Sequence, residues 1–312
     1  MKNIYVMIFL MLILITGCAG TTSRKIVETN VKEGTKGIEM SFFDGTPPNT
    51  VFEASDFLIS AQISNQGATD VTAGYLTIST EKEYMGLIDW KSSIISSSTP
   101  ENAMFAIQGK SQSNPAGDSS VITIRAKTLT IDPQSETHTS TIVMTACYPY
   151  KTTFSTDVCV DPDMYTMKAE RKACVVKLIG LSSQGGPVAV TRIEPQMLIG
   201  DDGLVRPQFT LYLRNEGNGA VFDINSMETV CSSASLRKED VNFVQVKAKL
   251  SDKTLTCKPT SIHLKDTDNM VRCSSENGYT GGSNSFVAPL VVEISYGYSF
   301  SITKEIIIRR VK

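Results

Sequence analysis

Histidine and tryptophan are nearly absent: the chain of 312 residues has two His and one Trp. A multi-histidine metal centre or a histidine-based active site therefore has little material. Charge of one sign is also missing, since 30 Lys and Arg stand against 32 Asp and Glu for a net charge of −2. That balance excludes a strongly basic nucleic-acid binder, and the terminal Arg309-Arg310-Val311-Lys312 is too short to restore one. No Gly-x-Ser-x-Gly elbow, phosphate-cradling Gly-x-x-x-x-Gly-Lys-Ser/Thr loop or His-Glu-x-x-His pair occurs. Cys-x-x-Cys pairs are lacking too, which argues against a structural zinc or a dithiol redox site, and no metal or other cofactor is expected. Asn-x-Ser/Thr sequons do not occur either. What remains is a chain with 41% hydrophobic and 20% charged residues, able to bury a core and long enough for about two domains.

The N-terminus supplies an address. Met1-Lys2-Asn3 is followed by an apolar run from Ile4 to Ile15, shorter than the roughly 20 residues that span a bilayer. A lysine, a short apolar core and then small residues read as a secretory signal. The run ends in Ile15-Thr16-Gly17-Cys18, which resembles the lipobox of prokaryotic lipoproteins. The resemblance implies cleavage after residue 17, a diacylglycerol on Cys18 and anchoring to the extracytoplasmic face of a cell membrane. An uncleaved anchor helix, or secretion with Cys18 incidental, are the alternatives. Residues 18–35 read as a tether. With Cys18 lipidated, the odd total of seven cysteines becomes six, enough for three disulfides in an oxidising compartment.

The rest reads as β-structure. Ile59, Ala61 and Ile63 alternate with polar residues and run into Asn65-Gln66-Gly67. Phe209, Leu211 and Leu213 do the same before Asn215-Glu216-Gly217, 150 residues later. Period-two alternation closed by a turn signal marks a half-buried strand, with glycine and asparagine tolerating positive φ. A second match joins Tyr148-Pro149-Tyr150 to Tyr296-Gly297-Tyr298 at an offset of 148, and Tyr148-Pro149-Tyr150 reads as a hairpin flanked by Cys147 and Cys159. Two matches in the same order point to an internal duplication. The expected architecture is all-β, with two tandem Ig-like sandwiches at 36–180 and 188–312 and a linker at 181–187. Residues 92–120 read as a long loop with one short edge strand around Met104–Ile107, and 233–241 as a short helix. The strand that runs into Asn-x-Gly resembles the CARDB modules of prokaryotic surface proteins, which implies Ig-like folds and a surface role.

The six remaining cysteines allow 15 pairings. A strand–turn–strand would bring Cys159 to Cys174 and Cys257 to Cys273. That leaves Cys147 and Cys231, one per repeat, as a bridge between the repeats or as buried thiols. Asp161-Pro162-Asp163, Asp201-Asp202 and Asp266-Thr267-Asp268 offer oxygen clusters of the kind calcium accepts, although exposed turns use the same residues. The four tyrosines read as corner residues that pack a ring and bond the backbone, against a stacking platform for a ligand. Trp90 reads as packing. The functional expectation is a non-enzymatic, lipid-anchored surface protein for binding, adhesion or envelope scaffolding, with a protein or envelope-polymer partner. An accessory subunit of a membrane-bound secretion or surface-filament assembly is the alternative, and a carbohydrate-active enzyme ranks third.

Overall fold

The fold is described from a computed structural model, which covers residues 31–164, 172–227, 230–231, 241–265, 269–281 and 284–311. From Val31 onward the chain forms one compact unit. Cys18 and the signal-like segment lie outside the described residues, as does the helix read at 233–241 apart from Val241.

Nearly everything described is strand. The first repeat contains β1 (Ile38–Phe42), β2 (Thr50–Phe52), β3 (Asp56–Asn65), β4 (Val71–Ser79), β5 (Met85–Lys91), β6 (Ile95–Ser98), β7 (Asn102–Ile107), β8 (Ser119–Thr128) and β9 (Thr137–Val160). The short β10 (Ile179–Gly180) leads into the second, with β11 (Val188–Ile199), β12 (Leu204–Asn215), β13 (Ala220–Phe222), β14 (Phe243–Leu250), β15 (Lys253–Lys258), β16 (Ser261–His263), β17 (Met270–Ser274), β18 (Tyr279–Thr280) and β19 (Phe286–Arg309). The loop expected at 92–120 thus holds two strands: Met104–Ile107 belongs to β7, and β6 forms the sheet edge outside it.

Alternation explains the layers. In β3, Ile59, Ala61 and Ile63 are fully buried, and in β12 so are Phe209 and Leu211, with Leu213 close behind. In the first repeat β1-β3-β8-β5 make one sheet, and the second sheet runs β9-β4-β7-β6. The first sheet has the A-B-E-D order of an Ig-like sandwich and the second its neighbouring C and F strands, with β7 and β6 added beyond C. The second repeat copies it. β11-β12-β17-β15 make one sheet, and β13 and β14 take the place of β4 beside β19. β15 serves both layers, pairing with β14 through Lys253–Leu255 and with β17 through Thr256–Lys258. Where β4 is continuous, β13 and β14 are separated by residues 223–242, an insertion peculiar to the second repeat.

The triplet read as a hairpin is not a turn, and neither is its counterpart in the second repeat. Tyr148-Pro149-Tyr150 lies inside β9 and Tyr296-Gly297-Tyr298 inside β19, each a strand of 24 residues. The two pair antiparallel along their whole length, with Tyr148 opposite Tyr298, Pro149 opposite Gly297 and Tyr150 opposite Tyr296. A pseudo-twofold axis therefore passes through Pro149 and Gly297. The turn residues misled because the partner of each segment lies about 148 residues away, beyond any local signal.

The segment expected as a linker, 181–187, is not an exposed spacer: Gln184, Gly185, Gly186 and Pro187 are buried. Gln184 closes a pair of hydrogen bonds with the Val190 backbone. Gly185, at φ +71°, donates its N–H to the Gly34 carbonyl and accepts from Ala68 N. The repeats are thus halves of one unit.

Candidate functional site

Four tyrosines meet at the pseudo-twofold axis. Ring centroids lie 5.8 Å apart for Tyr148 and Tyr150, 5.9 Å for Tyr148 and Tyr298, 6.0 Å for Tyr150 and Tyr296, and 6.3 Å for Tyr296 and Tyr298, with tilted or edge-on planes. Such geometry suits the aromatic quadrupole. Each hydroxyl is used in the same way in both repeats. Tyr148 accepts from Ile38 N at 2.8 Å and Tyr296 from Val188 N at 3.2 Å. Tyr150 accepts from Thr69 N at 3.3 Å and Tyr298 from Gly219 N at 2.6 Å. The donors, like the Asn-x-Gly turns, are 150 residues apart. The rings and hydroxyls that a ligand platform would offer are enclosed. Burial pushes the phenols of Tyr148 and Tyr296 well above the ordinary range, and those of Tyr150 and Tyr298 in the same direction. They stay neutral and structural.

The Asn-x-Gly turns belong to this cluster. Asn65 accepts from Gly67 N at 3.1 Å and donates to Thr69 O at 2.9 Å. Asn215 accepts from Gly217 N at 3.1 Å and donates to Gly219 O at 2.9 Å. Neither Gly67 nor Gly217 adopts positive φ. Glycine is required there because the Tyr150 and Tyr298 hydroxyls occupy the space of a side chain.

The structure joins Cys159 to Cys174, Cys257 to Cys273, and Cys147 to Cys231. Cys257 and Cys273 face each other across β15 and β17. Cys147 lies in the first repeat and Cys231 in the insertion of the second, so this bridge spans the two halves. With Phe222 and Val230 they form a small apolar cluster, against which Tyr75 and Met227 pack.

Two of the acidic turns hold cations of the chain itself. Asp161 is buried and receives Lys172 Nζ at 2.6 Å, and its other oxygen accepts from Asp163 N. Asp202 is held by Arg206 at 2.5 Å, and the guanidinium hydrogen bond lowers its carboxyl well below the usual range. Asp266, Thr267 and Asp268 lie outside the described residues. Among the described residues no group of three potential metal ligands comes together. His138 Nε2 lies 2.6 Å from Glu81 and its ring stacks on Tyr84, while His263 meets Phe243 edge-on. Trp90 is buried and donates its indole N–H to Pro100 O at 3.0 Å. Arg310 is spent on the carbonyls of Ile131, Asp132 and Pro133.

Surface grooves remain as candidate contact areas. One of about 820 Å³ lies at the end of the ladder, between Phe52, Glu136, Arg309 and Val311. Another of about 430 Å³ crosses the outer face of β14, β19 and β9, lined by Thr153, Lys247, Lys249 and Glu293. A third of about 450 Å³ lies beside the Cys159–Cys174 bridge, with Val175 and Val287 exposed.

No protein-family model matches the chain, and no curated protein matches it. Among solved structures the chain is similar to a type I cohesin–dockerin complex from Clostridium thermocellum, at 8% identity and a TM-score of 0.25, over 34% of this chain and 77% of that one. It is also similar to the Enterococcus faecalis MSCRAMM ACE, at 10% and 0.23 over 89% and 97%, and to the CupB6 tip adhesin of Pseudomonas aeruginosa, at 11% and 0.20 over 89% and 98%. The Ig-like order stands on the strand pairing.

Proposed function

We propose that this chain is a lipid-anchored, non-enzymatic protein of the extracytoplasmic membrane face, whose β-body binds a protein or an envelope polymer in adhesion or scaffolding. The carrying observation is the set of three disulfides, one of which ties the two repeats together. Such cross-links persist where thiols are oxidised, outside the cytoplasm. The Ile15-Thr16-Gly17-Cys18 sequence supports a lipid at Cys18, and two acyl chains give stable anchoring. The CARDB-like reading is supported by the strand that ends in Asn-x-Gly, present in both repeats at matching hydrogen bonds. The surface grooves supply contact area for a partner.

Two experiments test the reading. Fractionation of cells carrying Cys18→Ser is expected to find the protein released from the membrane; retention on the membrane overturns the anchor. Surface cross-linking of the mature chain is expected to recover an envelope or protein partner. No partner, together with turnover of a substrate, overturns the binding role.

A further inference from the structure

In an Ig-like sandwich the second sheet carries three neighbouring strands, and the last two, F and G, are joined by a hairpin. Here β4 and the first half of β9 hold the first two places in one repeat, and β14 and the first half of β19 hold them in the other. The third place beside the first half of β9 is taken by Tyr298–Arg309, from the second repeat. The third place beside the first half of β19 is taken by Tyr150–Val160, from the first. We infer that the two repeats are a strand-exchanged pair: the hairpin of each has opened at its central Tyr-x-Tyr, and each repeat completes the other's sandwich.

The packing of the exchanged segments carries this. Ile306 and Ile308 are fully buried, yet their strand is anchored to the first repeat. Ile307 N donates to Asn49 O and Glu53 N to Arg309 O, while β2 pairs with Ile307–Arg309. Arg310 then closes on the loop Ile131–Pro133. In return, Thr152 Oγ1 bonds the Tyr296 hydroxyl at 2.8 Å, and Cys174, bridged to Cys159, approaches Phe286 O. The opened form is held at the axis. The Phe222 ring fills the space beside Gly297, and the Cys147–Cys231 bridge spans the junction.

The consequence is that damage to a segment is felt in the other repeat. In full-length protein in detergent micelles, Ile308→Ala is expected to lower amide protection about tenfold or more in Thr50–Phe52 and Thr137–Cys147, and to spare β12 and β17. Val158→Ala is expected to loosen Phe286–Ile294 and β14, and to spare β3 and β8. Loss confined to the repeat that contains the substitution overturns the inference. Should either variant fail to fold, hydrogen exchange of the unmodified chain in mild urea decides it. Phe300–Arg309 must open together with β2, and opening together with β12 and β17 instead overturns the exchange.

Discussion

At the scale of single residues, the four tyrosine hydroxyls are the points where the sheets are tied to the turns. Tyr148→Phe keeps the ring and leaves the buried Ile38 N–H without its acceptor. An unsatisfied buried donor costs about 1–3 kcal/mol, so the urea midpoint should fall at unchanged slope. Tyr296→Phe should cost at least as much, because Thr152 loses its partner along with Val188 N. A midpoint equal to that of the parent in both variants would show that water replaces the hydroxyls. Gly67→Ala makes a sharper case, since the new methyl meets the Tyr150 hydroxyl and the Lys36 carbonyl. Gly180→Ala meets nothing within 4 Å and serves as the control. Thermal melts should show a large loss for the first and little change for the second. The Asn-x-Gly motif was legible in the sequence, but its reason was not. Turn chemistry points to backbone freedom, whereas the glycine makes room for an aromatic residue more than 80 positions later.

At the scale of elements, local order was legible and distant pairing was not. Ile59, Ala61 and Ile63 announce a strand because alternation is a local pattern. Cys257 and Cys273 could be paired by inspection because 16 residues separate them around a strand and a turn. The partnership of Cys147 with Cys231 could only be left open, since the two are 84 residues apart and belong to different repeats. Pro149 misled for the same reason: a turn-former inside a strand reads as a turn until its partner is known. The bridges differ in what they hold. In the chain-entropy model, closing a loop of 84 residues contributes about 4.5 kcal/mol, against about 3 kcal/mol for the loops of 15 and 16. Removing Cys147 and Cys231 together, as Ala, should therefore lower the denaturation midpoint more than removing Cys159 and Cys174. The reverse order, measured in the same buffer, would show that local strain or residual structure outweighs chain entropy here.

At the scale of the whole molecule, composition gave the class and duplication gave the repeat, but the repeats proved to be one compact unit. Two tandem sandwiches on a linker and two interlocked sandwiches have the same strand pattern, and only the pairing of β9 with β19 separates them. The tyrosines at that junction make the difference measurable through pH. Burial raises the phenol pKa of Tyr148, Tyr150 and Tyr296, and also of Tyr298, above the ordinary value of about 10. The folded chain therefore keeps protons that the unfolded chain releases once the pH passes about 10. Stability from these groups is fully present below that value and falls as the pH climbs toward the raised folded values. The slope is about 1.4 kcal/mol per pH unit for each tyrosine in that window. Because all four sit at one junction, their ionisation and the loss of both repeats should coincide. An alkaline titration should show phenolate absorbance from these four tyrosines appearing only as the β-sheet circular dichroism collapses. If every tyrosine ionises while the sheet signal holds, the cluster is open to solvent and the junction does not hold the repeats as one body.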